Sequence, residues 1–216
     1  MTIDQTAATP NEPSLSKGER TRKQIIGAAL ELFSDQGYHG TSMRQVADLA
    51  GIALGGIYNH FDNKEAIFTA VTLESHPIHT LLPALEAESG DTLEEAIHQS
   101  AERMYETLSQ REDFLNLILI ETLEFNGKHF PDIFAQIFPR AVSFSKRLTE
   151  KPGDLREDIP LPVMVATFIG MIFSFFLFQR LFGTQVDLGE PKSLLRQIME
   201  IYLHGIQPQI GEGDRR

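Results

Sequence analysis

The 216-residue chain contains no cysteine, which excludes disulfides, thiolate metal sites and a cysteine nucleophile and suits a reducing cytoplasm. It also lacks a Gly-rich phosphate loop and a Gly-x-Ser-x-Gly elbow, so enzymatic chemistry has no recognisable seat and no cofactor is expected. No basic, apolar, small-residue leader opens the chain, and export is not expected. The best metal candidate is His76-Pro77-Ile78-His79. A proline inside that pair spoils helical register, and no carboxylate beyond Glu74 lies within a turn, so no metal site is expected. No stretch alternates between apolar and polar residues at period two, which leaves helices as the building material.

What is present begins with 42% apolar residues, ample for a core in one compact unit or two small domains. The net charge of -11 argues against a nucleic-acid partner until it is divided along the chain. Residues 16 to 64 carry six Lys/Arg against five Asp/Glu, whereas residues 65 to 216 carry thirteen against twenty-three. An acidic body of this kind repels a duplex and leaves only the N-terminal face to approach it.

That face is expected between residues 41 and 64, where two short helical patterns flank a glycine turn. Ser42 and Gln45 form a capping box, Val46, Leu49 and Ala50 give an inward face, and Gly51 supplies the positive φ that closes the helix. A second helix begins near Leu54. Ile52, Ile57 and Phe61 turn inward against the first helix, which leaves Leu54, Gly55, Gly56, Tyr58, Asn59 and His60 for a partner, a DNA major groove. Before this motif, Ile25, Ile26, Ala29, Leu32 and Phe33 mark a helix from Lys17 to Gln36 with one buried stripe.

Together these residues resemble the N-terminal domain of the TetR/AcrR family of transcriptional regulators. The resemblance is carried by Thr21, Arg22, Ala29, Leu30, Leu32, Phe33, Gly37, Tyr38, Thr41, Ser42, Val46, Ala47, Ala50, Gly51, Ile52, Gly55, Tyr58, His60, Phe61, Lys64 and Glu65. It implies a homodimer on a palindromic double-stranded operator, with two reading heads in successive grooves. Tyr58, His60 and Lys64 occupy positions that in the family usually touch phosphates. Thr41 and Ser42 are candidates for the opposite strand's backbone, in competition with pure capping. Arg44 matches a position from which family members reach a guanine edge, the alternative being a phosphate contact or a solvated side chain. Two departures stand in the recognition helix. Ala53 replaces the usual hydroxyl cap, and paired Gly55-Gly56 weakens the helix by roughly 1 kcal/mol per residue while allowing the backbone close to a duplex, where Leu54 meets a thymine methyl.

The expected organisation is all-α. It comprises a tail over residues 1 to 15, a helix-turn-helix domain over 16 to 63, a helical effector-binding and dimerisation domain over 64 to 208, and a tail over 209 to 216. Helices are expected from Asn63 to Ser75, broken at His76-Pro77 and continuing to Ala87. After a loop at residues 88 to 91, further helices run from an Asp91/Glu94 capping box to Gln110, over 112 to 126, over 131 to 151 with a bend at Pro139, over 161 to 182 and over 191 to 207. That is three N-terminal helices, a linking fourth and five more. Residues 163 to 182 carry no charge before Arg180 and are long enough for a membrane span. They include Thr167, Ser174 and Gln179 and lack a basic cluster at either end, so a core or interface helix is preferred and no membrane partner is expected. Ala166, Gly170 and Ser174 form a small-residue row on it, the leading candidate for the dimer contact through the last two long helices.

Six phenylalanines lie between Phe168 and Phe182, and aromatic residues in a bundle are ordinarily core. The alternative is that Phe114, Phe125, Phe134, Phe138, Phe144, Phe168, Phe173 and Phe176 line a cavity for a small lipophilic effector, with Asn116, Glu121, Glu124, Gln179 and Arg180 as polar candidates. Acidic groups there favour a cationic lipophile, and Arg180 favours a carboxylate or acyl conjugate. The function expected is a non-enzymatic, sequence-specific DNA-binding regulator, most simply a repressor released by its effector. The other reading is a protein-interaction module with a degenerate helix-turn-helix.

Overall fold

The computed structural model describes residues 16–87, 90–150, 155–183, 185 and 189–207. The expected tails and residues 88 and 89 of the expected loop lie outside them. Among the described residues every regular element is a helix, and the chain divides into two compact units, Met1–Val71 and Thr72–Arg216.

In the first unit, α1 (Lys17–Gly40) starts at a capping box in which the Glu19 amide donates to Ser16 Oγ and the Ser16 amide donates to the Glu19 carboxylate. Its buried stripe is Ile25, Ile26, Ala28, Ala29 and Phe33. Regular helical geometry ends after the expected Gln36, because Gly37 has φ 75 and ψ 175, and a short further turn carries the element to Gly40. Helix α2 (Met43–Ala50) has the expected Ser42/Gln45 box. Its inward face differs from expectation: Val46 and Ala47 are buried, whereas Leu49 is 46% exposed. In an eight-residue helix the 100° step between neighbours places 46, 47 and 50 together and rotates 49 outward. Gly51 ends α2 at φ 70 and donates its amide to Ala47 and Asp48 carbonyls. Helix α3 (Leu54–Ile57) is a single turn. Helix α4 (Lys64–Glu74) follows, with the Ala66 amide held by Asn63 Oδ1 at 2.8 Å.

The first compact unit runs to Val71 and so takes in the start of α4. Ile67, Phe68 and Val71 are fully buried, and the Phe68 ring packs on Phe33 and Tyr38 with centroids 5.6 Å apart in each pair. The first two turns of α4 therefore complete the core of the first unit.

The second unit contains α5 (Ile78–Ala87), α6 (Leu93–Ser109), α7 (Glu112–Glu124), α8 (Phe130–Leu148), α9 (Leu161–Phe182) and α10 (Pro191–Ile206). The α6 capping box is Thr92/Glu95, one residue later than the expected Asp91/Glu94. Leu85, Ile97, Met104, Ile172, Phe176, Met199 and Leu203 belong to one core that α5, α6, α9 and α10 share. Tyr202 on α10 donates its hydroxyl to the Met164 carbonyl on α9 at 3.0 Å, and burial pushes its pKa up to about 12. Helix α9 is long and apolar enough to cross a bilayer by length and composition, yet it buries Met164, Val165, Ile172, Phe175 and Phe176 within this unit. Its opposite face, with Val163, Ala166, Gly170 and Ser174, is exposed.

At Gly51 an added Cβ would meet no atom within 4 Å, so the glycine is required only by its φ of +70. Gly51→Ala is expected to destabilise the first unit by about 1 kcal/mol, the left-handed penalty of an L-residue. Urea unfolding should show a lower midpoint with an unchanged m value.

Candidate nucleic-acid interface and ligand cavity

The first unit presents the α2–α3 region to solvent. Ser42 and Arg44 are exposed, and the Tyr58 side chain is 52% exposed. Among the described residues neither the Arg44 guanidinium nor the Tyr58 hydroxyl has a hydrogen-bond partner, and the side chains of Asn59 and His60 are likewise unengaged. Four groups able to contact phosphates or base edges thus remain available, one on α2 and three just after α3. Ser42 is exposed but already spends its hydroxyl in the capping box, where Oγ lies 2.7 Å from Gln45 Oε1.

The α3 turn has no side-chain cap at Ala53, and its first return bond runs from the Gly56 amide to the Ala53 carbonyl at 2.7 Å. Ile57 is fully buried and anchors the turn, while Gly55 is exposed and Leu54 and Gly56 are half-buried. A Cβ at Gly55 would meet nothing, and one at Gly56 would come only to 3.9 Å of Ile52. Internal packing does not demand either glycine.

Two residues expected at the DNA backbone also make contacts inside the unit. Thr41 is buried and donates its hydroxyl to the Gly37 carbonyl at 2.8 Å. Lys64 donates from Nζ to the Tyr38 and Thr41 carbonyls, each at 2.6 Å, and its ammonium stands 4.1 Å from the centre of the Tyr38 ring. The two carbonyls lie just past the Gly37 interruption, where the Tyr38 carbonyl also accepts the Thr41 amide at 3.2 Å, and the ammonium adds a charged donor and a cation–π contact to this corner.

The second unit holds a partly open cavity of about 540 Å³, within the range of small-molecule sites. Of the expected effector residues, Phe114, Glu121, Phe138, Phe168 and Phe173 line it, as do Phe134 and Phe144. Asn116, Phe125, Arg180, Phe176, Glu124 and Gln179 do not. Arg180 is exposed, and the Phe125 ring packs on His129 instead. Glu121 is fully buried, but its carboxylate is already engaged: one oxygen accepts the His129 amide at 2.6 Å and the other pairs with His129 Nδ1 at 2.8 Å. The turn that makes this pairing possible places Asn126 at φ 52 and Gly127 at φ 75, and the Gly127 amide donates to the Glu121 carbonyl.

His76 also lines the cavity and was not expected there, having been read only as a metal candidate and a helix break. Its imidazole packs edge-on against Phe114 with centroids 4.9 Å apart, and Nδ1 accepts the Ile78 amide at 3.1 Å. Burial foremost, then the neighbouring His79 and Arg111 charges, lowers its pKa from 6.5 to about 4. Arg111 pins the same link by donating to the Ser75 carbonyl at 2.7 Å while pairing with Asp113. The Pro77 that follows His76 was the available signal, since a proline break between helices turns side chains away from the regular helical face.

Residues 25–71 match the family model described as bacterial regulatory proteins, tetR family. Over 202 residues the chain is 23% identical to YdgC, an uncharacterised HTH-type transcriptional regulator of Bacillus subtilis, covering 90% of this chain and 96% of that one. The HTH-type transcriptional regulator UidR of Escherichia coli is 37% identical over 59 residues, but this stretch is only 30% of its length. Among solved structures, the transcriptional regulator FadR of Bacillus subtilis in complex with stearoyl-CoA superposes with a TM-score of 0.62 at 21% identity, covering 86% of this chain and 99% of that one.

Lys64→Met is expected to lower the stability of the first unit by about 1.5 to 3 kcal/mol, the scale of hydrogen bonds to a charged group. Tyr58→Phe should leave stability within about 0.5 kcal/mol of the parent. Thermal unfolding of both variants separates the two roles. For His76, the folded imidazole stays neutral down to about pH 4 whereas the unfolded one protonates near 6.5. Unfolding therefore takes up a proton between these values, and stability falls as pH drops from 6.5 toward 4. Urea midpoints at pH 7.5 and pH 5 should differ less in His76→Phe than in the parent.

Proposed function

Because the chain is a TetR-family transcriptional regulator, we propose that it acts as a homodimeric repressor that sits on a palindromic operator and leaves it when a lipophilic effector fills the cavity of the second unit. The observation that carries this reading is the pairing, in one chain, of a solvated reading surface around Arg44 and Tyr58 with an apolar cavity in a separate unit.

On the DNA side, Arg44 reaches a base edge or phosphate, and Tyr58, Asn59 and His60 hold the duplex backbone, with Ser42 at the opposite strand. Leu54, Gly55 and Gly56 form the closest approach, where the absence of side chains lets the backbone near the groove. Lys64 and Thr41 act one step back, by fixing the corner from which these groups project. The dimer uses the outward faces of α9 and α10. Support for this comes from the exposed row Ala166, Gly170 and Ser174, from the open space where a Cβ at Gly170 would stand, and from Ile201 on α10, which is 68% exposed. Small residues allow two helices to approach closely, and a second copy removes the apolar face from water.

The FadR solved with stearoyl-CoA supports a lipophilic effector for this fold. An effector shifts DNA occupancy only by the difference between its affinities for the two states. Helix α4 is the proposed pivot, since it starts at Lys64 and ends just before the His76-Pro77 break.

The test is fluorescence anisotropy with labelled DNA from upstream of the chain's own coding region, over a salt series. The expected result is saturable binding to one fragment at two or more chains per site, weakening steeply with salt as counterions are released. An Arg44→Ala, Tyr58→Phe variant should bind more weakly and with a flatter salt slope. Binding that is absent, or indifferent to both salt and variant, would move the protein-interaction reading to first place.

A further inference from the structure

The cavity wall is almost free of charge. Among its lining residues there is no lysine or arginine, and the one carboxylate, Glu121, is occupied by His129. A carboxylate ligand would find no cation and an ammonium no free anion, and burying either charge unpaired is strongly unfavourable. The part of an occupant that lies against this wall is uncharged.

The wall is not wholly apolar, however. The Tyr202 hydroxyl is taken by the Met164 carbonyl, Ser145 by the Ala141 carbonyl, and Thr149 by the Lys146 carbonyl. His76 is different. With Nδ1 accepting the Ile78 amide, the neutral ring carries its proton on Nε2, assigned from that hydrogen bond. Among the described residues Nε2 has no partner. Ser100 is the other lining residue whose hydroxyl no described residue engages. The imidazole is also held in place: Phe114 packs on its face or edge, Ile78 fixes Nδ1, and Arg111 pins the preceding Ser75 carbonyl. A donor fixed on three sides at the wall of an apolar cavity is how such sites orient a ligand.

We propose that His76 is the polar anchor of this cavity, donating Nε2–H to the carbonyl oxygen of an uncharged lipophile such as an ester or ketone. The proposal rests on the effector reading given above. It adds what that reading leaves open, the chemistry of the effector's polar end and the residue that recognises it. Its position gives the contact a second consequence. His76 stands in the break between α4 and α5, so a ligand bound to it acts on the link from which α4 begins its run back toward Lys64.

The experiment measures displacement of the neutral dye Nile red from the full-length protein by four ligands: methyl decanoate, dodecane, decanoate and decylammonium. The parent is expected to bind the ester about 3- to 10-fold more tightly than dodecane, the worth of one hydrogen bond, and to bind both ions more weakly than the ester. His76→Leu should bring the ester-to-dodecane ratio close to one, and His76→Gln, which keeps a donor, should restore part of it. A ratio near one in the parent, a ratio that survives His76→Leu, or one lost in Ser100→Ala instead, overturns the anchor while leaving the lipophile cavity standing. Absence of dye binding and of displacement by every ligand overturns the effector reading itself and the anchor with it.

Discussion

The clasp made by Lys64 is the contact on which the first unit depends. One ammonium satisfies the carbonyls of Tyr38 and Thr41 and lies over the Tyr38 ring. Those two residues bracket the end of α1 and the entry to α2, whose N-cap is the very next residue, Ser42. The same lysine is the first residue of α4. A single charge therefore joins three helices, and its hydrogen bonds strengthen in the lower dielectric of a half-buried site. Phe33, Tyr38 and Phe68 pack beside it in mutually tilted or edge-on contacts, which adds dispersion and quadrupole attraction to the ionic term. With this corner fixed, the short α3 turn can be as weak as its glycines make it and still be presented at a defined place, because Ile57 is buried and the residues after it fold back through the His60 and Phe61 amides onto the Ile57 carbonyl.

The second unit solves a different problem. Its helices are apolar over wide arcs, and beside the core that α5, α6, α9 and α10 share they leave a cavity walled in part by phenylalanine rings. Such a void forfeits dispersion contacts along its lining, so the empty unit is less stable than the filled one and any occupant that fits gains by that difference. The buried Glu121–His129 pair fits the same logic. A carboxylate with no exposure persists only because both of its oxygens have donors, and the left-handed Asn126-Gly127 turn is what brings the His129 amide and ring back to it.

Much of this was legible along the chain, and the reason differs from one element to the next. The Ser42/Gln45 box, the Gly51 stop and the bounds of α9 at residues 161 and 182 follow from local chemistry, since caps, glycine and apolar runs act within a few residues. The capping box of α6 was misplaced by one residue because Asp91 and Thr92 are both good caps and each is followed three residues later by a glutamate. Leu49 was misassigned because an eight-residue helix offers too few turns for its apolar stripe to be read with certainty of phase. The carbonyl partners of Lys64 lie 23 and 26 residues earlier, a separation over which no motif can be read.

Local order was thus determined by the sequence on its own: the helical class, the helix-turn-helix, the starts and stops, and the concentration of acid outside the reading head. These depend on interactions whose range is a turn or two of chain, or on composition alone. Only the tertiary structure decided which phenylalanines face a cavity and which face one another, that Arg180 and Asn116 lie off its wall, that Glu121 is spent on His129, and that His76 stands at the wall with one nitrogen unengaged. Each of those outcomes is set by the phase and spacing of helices packed against one another, a long-range property that no window of sequence contains.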